Sequence, residues 1–230
     1  MPREYELGAY SVVLLGNFNP SIFSPAWFGR YGLLTDEEVA VADVKVIHSD
    51  LALFTVDWLS LRVEQQRFQV QSQVSSIQIR DLVLKTFQDY LSHTPVHSMG
   101  INRQVHYKLP SRDHRMRFGR TLAPLEPWGD WGQEIEKGEE PGGLISLSMR
   151  QPRPDGPKGY LQVTIQPSDS IPRNSGIYFR ANDHYEVASR DNLTGCEEIM
   201  TLLDSEFEKS LTRVERILDQ VLAKAEEHDV

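Results

Sequence analysis

The residues whose types and spacing best suit chemistry lie between Arg103 and Arg120. Arg103, Lys108, Arg112, Arg115, Arg117 and Arg120 share this stretch with one acid, Asp113; six cations less one acid leave a local +5 in a chain of net charge -9. Guanidinium forks match the paired oxygens of phosphate and carboxylate. Tyr107, Phe118, Trp128 and Trp131 add aromatic faces nearby, and the charge then reverses at Glu134, Glu136, Glu139 and Glu140. Three uses fit this composition. The segment docks an acidic partner surface or peptide with Trp128 and Trp131 as anchors, since Trp and Arg are favoured at the energetic centres of interfaces. Alternatively, it is a solvated loop whose charges pair with the protein's own acids. In the third reading it binds a nucleotide, another phosphate ligand or single-stranded nucleic acid, for which cations beside aromatic rings are the fitting chemistry.

Other reactive residue types give less. His93 and His97 are four apart but Pro95 lies between them, and His97, His106 and His114 have no carboxylate or cysteine at ligand spacing. No metal site and no cofactor are expected. Cys196 falls in the first turn of a predicted helix, where the dipole can lower a thiol pKa, but no paired base is visible in the sequence. The acids offer no pair that stands out as general acid and base, so no catalytic residue is assigned.

Elements must hold these side chains, and the composition allows them. The 230 residues are 40% hydrophobic and 25% charged, ordinary for a globular protein and enough for one sizeable core or two small ones. The net charge of -9 disfavours a general nucleic-acid or anionic-membrane binder while permitting a local basic patch. A single cysteine rules out an internal disulfide and fits a reducing compartment. The opening MPREYELGAY lacks the apolar region of a signal peptide, and no run approaches the ~18 apolar residues of a membrane helix. A cytoplasmic protein without membrane contact is expected.

The stretch from Trp58 to His93 returns near Ser175. Phe68-Gln69-Val70 matches Tyr185-Glu186-Val187, and Leu82-Val83, Phe87 and Leu91 match Leu202-Leu203, Phe207 and Leu211. Each copy runs from strands into a helix opened by a capping-box pattern, Ser75 with Gln78 and Thr194 with Glu197. Strands are expected at 10–16, 44–47, 51–56, 59–63, 68–70, 96–109, 144–149, 160–166 and 177–187, from apolar runs and alternation bounded by turn residues. Phe23, Trp27, Phe28 and Tyr31 predict a short helix from Pro25, its aromatic stripe packed in the core. The Pro- and Gly-rich stretch 110–143 reads as a long irregular loop. Leu203, Phe207, Leu211, Val214, Leu218, Val221 and Ala225 make a coiled-coil-like seam along a last helix over 194–227. That helix either crosses a sheet and packs on both halves, or projects its second half to a partner or a second copy.

The expected fold is α+β and internally duplicated. Two mainly antiparallel sheets, each covered by a helix, would sit side by side about a pseudo-two-fold axis. The first half would span 1–95; the second, 96–230, would hold the 110–143 loop and the C-terminal helix.

Two resemblances add to this. The layout, with Met99-Gly100-Ile101-Asn102-Arg103 on a mid-chain strand and a long last helix, resembles a sporadically distributed family of bacterial proteins. The resemblance implies two sheet-plus-helix halves and is compatible with an accessory role in a bacterial multi-protein or defence-type system. It implies no catalytic residue. Separately, Val12 to Pro20 resembles the strand-then-G-x-F-D-P opening of ATP-binding nucleotidyltransferases, and Val74 to Arg80 their I-S-S-T-x-I-R-like phosphate-holding segment. Here Asn19 replaces the aspartate, and no H-x-G-H pair follows. The favoured expectation is a non-catalytic protein-binding or assembly subunit. It would act through Arg103, Lys108, Arg112, Arg115, Arg117, Arg120, Trp128 and Trp131, and through the C-terminal helix. The alternative is a nucleotide or phosphate sensor using the same cations; a nucleotidyltransferase-like enzyme is third.

Overall fold

The computed structural model describes residues 5–137, 142–153, 156–187 and 194–226. The apolar run ahead of Asn17 becomes strand β1 (Leu7–Gly16). Asn19 ends it by accepting from the Ser21 N–H at 3.2 Å, opening a 3-10 turn. Ser24 caps α1 (Pro25–Arg30), and Thr35 with Glu38 forms a reciprocal capping box on α2 (Asp36–Val41). Four strands follow: β2 (Asp43–Ile47), β3 (Leu51–Val56), β4 (Leu59–Glu64) and β5 (Arg67–Ser72). Helix α3 (Ser76–Lys85) continues into a π-helical turn, Thr86–Tyr90. The second half runs β6 (Val96–Lys108), α4 (Arg112–Leu122), α5 (Gly129–Lys137), β7 (Leu147–Pro152), β8 (Gly159–Pro167), β9 (Gly176–Glu186) and α6 (Glu197–Glu226).

These strands form one sheet, not the two expected. Its order is β2-β3-β4-β5-β1-β6-β9-β8-β7, with every pairing antiparallel. The halves fuse because β1 pairs with β6 from Leu7↔His106 to Gly16↔Val96. Had they stayed apart, two long strands would each present an unpaired row of backbone donors and acceptors, and joining them satisfies both rows. Outward from this central pair the order is β5, β4, β3 and then an extra edge strand β2 on one side, and β9, β8, β7 on the other.

Residues opposite each other in an antiparallel ladder share a face. The row Phe68–Leu14–Met99–Tyr185 therefore crosses the sheet on one side, and each member is 0% exposed. The two motifs matched in the sequence sit at the ends of this row. Helices α3 and α6 cover this face. Phe23 and Phe28 are buried on it, while Trp27 and Tyr31 pack at its border.

The α6 helix crosses the sheet and packs on both halves. Its 30 residues span roughly 45 Å at 1.5 Å per residue. Ile199, Met200, Leu203, Phe207 and Leu211 join the core of the first half, with Val12, Phe68 and Phe87. Val214, Leu218 and Leu222 join a second core with Val105, Phe118 and Phe179. A belt of buried charge, including Arg103 and Asp183, lies between the two.

The described residues of the 110–143 stretch are largely helical rather than irregular, while 138–141 lie outside the described residues. Ser111 accepts from the His114 N–H at 3.3 Å and caps α4, whose Phe118 reaches the second core. Glycine and proline punctuation hid these helices, because Gly119 and Gly132 are buried where the chain packs closely. A Cβ at Gly132 would meet the Leu125 carbonyl oxygen at 2.3 Å.

Candidate functional site

The six cations singled out in the sequence do not converge. Arg103 is built into the interior: its Nε donates to Glu215 of α6 at 2.6 Å, Nη1 donates to the Gln104 carbonyl at 3.0 Å, and the guanidinium lies 4.2 Å from the Tyr10 ring centre. Lys108 is exposed where β6 ends. Arg112 and Arg117 are exposed on α4, while Arg115 is half-buried, its pKa lowered by burial and by Arg112. Arg120 pairs with Glu136 of α5 at 2.9 Å.

The tryptophans do come together. Trp128, in a 3-10 turn, and Trp131, on α5, are each 56% exposed, and their rings meet edge to face at 5.3 Å. They stand on an arm made by α4 and α5. The returning chain packs under it, with Leu144 beside Gly119 and Ile135 beside Gly142.

The nucleotidyltransferase-like segments sit at opposite ends of β1. Leu15 pairs with Arg67 and Tyr10 with Ser72, so Gly16–Pro20 and Ser75–Arg80 are separated by roughly 20 Å of strand. Ser75 spends its hydroxyl on the Gln78 N–H of α3, and Arg80 pairs with Asp81 and Glu208. Among the described residues, no group of three or more His, Cys, Asp or Glu side chains is placed to hold a metal.

Within the charge belt, Asp183 accepts from Arg153 and, at 2.7 Å, from Arg213 of α6, and Tyr185 donates to it at 3.2 Å. Burial and the Asp183 charge push the Tyr185 hydroxyl well above its usual range. The Asp183 carboxylate is 0% exposed and the Arg153 side chain 1%, so the centre of this cluster is closed to solvent, and Arg213, partly exposed, ties α6 to it.

A second surface escaped the sequence reading. Over the centre of the sheet, on the side away from α3 and α6, lies a depression of about 280 Å³ lined entirely by strand residues of β1, β5, β6, β8 and β9. One row across it reads Gln71–Ser11–Asn102–Asn182–Gln162, and the next reads Gln69–Val13–Gly100–His184–Tyr160. Tyr160 and His184 stack with ring centres 4.6 Å apart and planes at 26°. The Arg150 guanidinium lies 4.0 Å from the Tyr160 ring centre.

Gly100 has a specific use here. A Cβ at this position would meet Asn182 Oδ1 at 2.6 Å, so glycine lets that carboxamide lie against β6. Asn182 Oδ1 is buried and has no hydrogen-bond partner. The lining includes Arg67 and Arg180, and no carboxylate among its described residues. In sequence the polar residues of this lining are the outward members of alternating strands, indistinguishable from an ordinary wet face. Only pairing across five strands brings them together.

No protein-family model matches the chain, and comparison with curated proteins returns no relative. Among the described residues, no helix is long and apolar enough to cross a membrane.

Proposed function

We propose that this chain is a protein-binding subunit that docks its partner through the arm formed by α4 and α5. The observation that carries this reading is the tryptophan pair, two indoles in mutual contact with more than half of each exposed. Contiguous exposed apolar surface is uncommon on a monomer, and tryptophan is the residue most often found at the energetic centre of an interface. Ile145, 83% exposed, and Met149, 69% exposed, extend apolar surface along the chain that returns from the arm into β7.

The charges of the arm give the partner an orientation. Helix α4 carries Arg112, Arg115, Arg117 and Arg120 against Asp113, whereas Glu126, Asp130, Glu134 and Glu136 oppose only Lys137 beyond it. The fitting partner offers an apolar pocket, acidic on the α4 side and basic on the other, because such complementarity fixes register and speeds encounter. Helix α6 is a poorer docking element. Its apolar stripe is spent on the two cores, and Thr201, Asp204, Glu208, Lys209, Thr212, Arg216 and Asp219 face outward. The matching strand order on either side of the β1–β6 pair supports a duplicated origin for the two halves.

The test is the double substitution Trp128→Ala with Trp131→Ala. Both rings are exposed, so the thermal midpoint should stay within a few degrees of the parent. A stoichiometric complex recovered with the parent by affinity capture and mass-resolved chromatography should be lost. An unchanged set of co-eluting proteins would overturn the reading.

A further inference from the structure

The concave face of the sheet carries a chemistry that the arm does not use. We infer that the depression between β5 and β8 binds a nucleoside phosphate, either free or within a single strand.

The argument begins with charge. In a chain of net charge -9, the described lining holds Arg67 and Arg180 and no carboxylate. Glu186 stands at its edge, 3.4 Å from His184 Nε2, so the positive charge is concentrated on the Arg180 side, where it favours an anion. Arg180 is exposed, and on β8 Thr164 stands opposite it with its hydroxyl engaged by Ser148 at 2.5 Å. The exposed guanidinium fork is a fitting phosphate subsite.

Four residues along β9 from Arg180 stands His184, stacked on Tyr160. That backbone separation is roughly 13 Å at about 3.3 Å per residue, longer than one nucleotide from phosphate to base, so the long Arg180 side chain has to reach toward the stack to close the gap. Arg150 lies over Tyr160 at 4.0 Å, so a heterocycle would stack from the His184 side, and stacking tolerates any base.

Between phosphate and stack lie the carboxamides of Asn102, Asn182 and Gln162; Gln162 Oε1 accepts from Arg150 at 2.7 Å and Asn102 Nδ2 donates to the Gly100 carbonyl at 3.2 Å. Asn182 Oδ1 is the acceptor left over, and rotation of its carboxamide would turn it toward an amino or imino group of the base. The volume of about 280 Å³ suits a single nucleotide better than a larger cofactor. Arg67 lies across the depression from Arg180, three strands away, about 14 Å in the hydrogen-bonding direction alone. Arg67 shares a row with Leu15, Ser98 and Glu186, six residues along β9 from Arg180, so it is also offset about 20 Å along the strands; it is placed for a phosphate several nucleotides along a strand and out of reach of a mononucleotide held at Arg180.

Titration calorimetry of the full chain tests this. The probes are the four ribonucleoside monophosphates, inorganic phosphate, and a mixed-sequence single strand of about eight nucleotides. At least one monophosphate or the strand should bind saturably, and more tightly than inorganic phosphate. Arg180→Glu should weaken that binding about tenfold or more, and Tyr160→Ala should weaken it while sparing any inorganic phosphate binding. Arg67→Glu should weaken the strand alone. Monophosphate binding that Arg67→Glu leaves intact assigns the site to free nucleotides; binding by the strand only assigns it to nucleic acid. Inorganic phosphate binding as tightly as every nucleotide, no binding by any probe, or indifference to Arg180→Glu in a folded variant would each overturn the inference. The Trp128→Ala, Trp131→Ala protein should bind as the parent does, so failure of one proposal is separable from failure of the other.

Discussion

Arg103 of β6 and Glu215 of α6 are joined by an Nε to Oε1 contact of 2.6 Å, with 5% of the arginine side chain and 33% of the glutamate side chain exposed. The strongest member of the basic cluster in the sequence is thus a structural residue, clamping the long helix to the centre of the sheet. Removing one partner of such a pair strands the other charge away from water. Glu215→Ala should lower stability by about 2–3 kcal/mol, the low end of the range because the carboxylate is a third exposed. Replacing both, with Arg103→Met and Glu215→Leu, should recover most of the loss, since matched apolar pairs replace buried ion pairs at little cost. Urea unfolding of the two variants against the parent decides it; equal losses would show that the guanidinium is not stranded.

The course of α6 gives the second prediction. Val214, Leu218 and Leu222 are at most 1% exposed and close the second core over Val105 and Phe179. Burying one such side chain contributes roughly 1.5–3 kcal/mol, and a domain's whole stability is about 5–15 kcal/mol. A chain ending at Leu211 should therefore lose cooperative unfolding and expose its second core to a hydrophobic dye. A truncated chain that melts like the parent would mean that the distal helix does not support the sheet.

How much was legible follows from which forces act locally. The strand positions, the short helix from Pro25, the cap at Ser75 and the stripe from Leu203 to Leu218 rest on neighbours in sequence, and each is found. The stripe then departs from the expected seam: Leu222 is 0% exposed, where a heptad reading placed Val221. A straight helix of 3.6 residues per turn drifts about 20° per heptad, and with no partner helix to supercoil around, the drift is left uncorrected. The single sheet was not legible because the β1–β6 pairing joins residues some 80–100 apart, from Gly16↔Val96 to Leu7↔His106, with no local signature. For the same reason Arg103 read as a ligand-binding cation and Arg180 as an ordinary strand residue. Their different burial is set by which face of a nine-stranded sheet each occupies.

Two matched capping patterns should respond differently to the same change. Ser75 Oγ accepts from the Gln78 N–H at 3.3 Å, so Ser75→Ala should cost about 1 kcal/mol. At the other repeat α6 begins at Glu197, and Cys196 holds the cap position, its carbonyl accepting from Met200 N at 2.9 Å. Thr194 lies two residues too early to cap, and Thr194→Ala should change stability by less than about 0.5 kcal/mol. Thermal melts of both variants are sufficient, and a comparable loss at Thr194 would restore the second capping box.

Cys196 supplies a prediction in which two physical effects compete. It stands at the start of a 30-residue helix, where the dipole favours a thiolate. It is also 2% exposed, with Sγ 3.5 Å from the carbonyl oxygens of Phe87 and Ser92, both electron-rich. Burial wins: desolvation, with Glu197 adding to it, pushes the thiol up to about 11 from an ordinary 9.0. At pH 8 the thiolate fraction should then be about a hundredfold below that of a free cysteine, and iodoacetamide should label the folded chain at least that much more slowly. The same shift links to stability. Between roughly pH 9 and 11 the unfolded chain releases this proton and the folded chain keeps it, so stability falls as pH rises through that window. Tyr5, raised to about 12 by burial and by Glu215, loses stability in an overlapping range above its ordinary 10.0, so the parent's slope alone does not isolate the thiol. The difference between parent and Cys196→Ala does: it should be flat below pH 8 and should shrink the alkaline loss above pH 9. Identical alkaline slopes, or fast labelling of the folded protein at pH 8, would show that the helix terminus and not burial governs this cysteine.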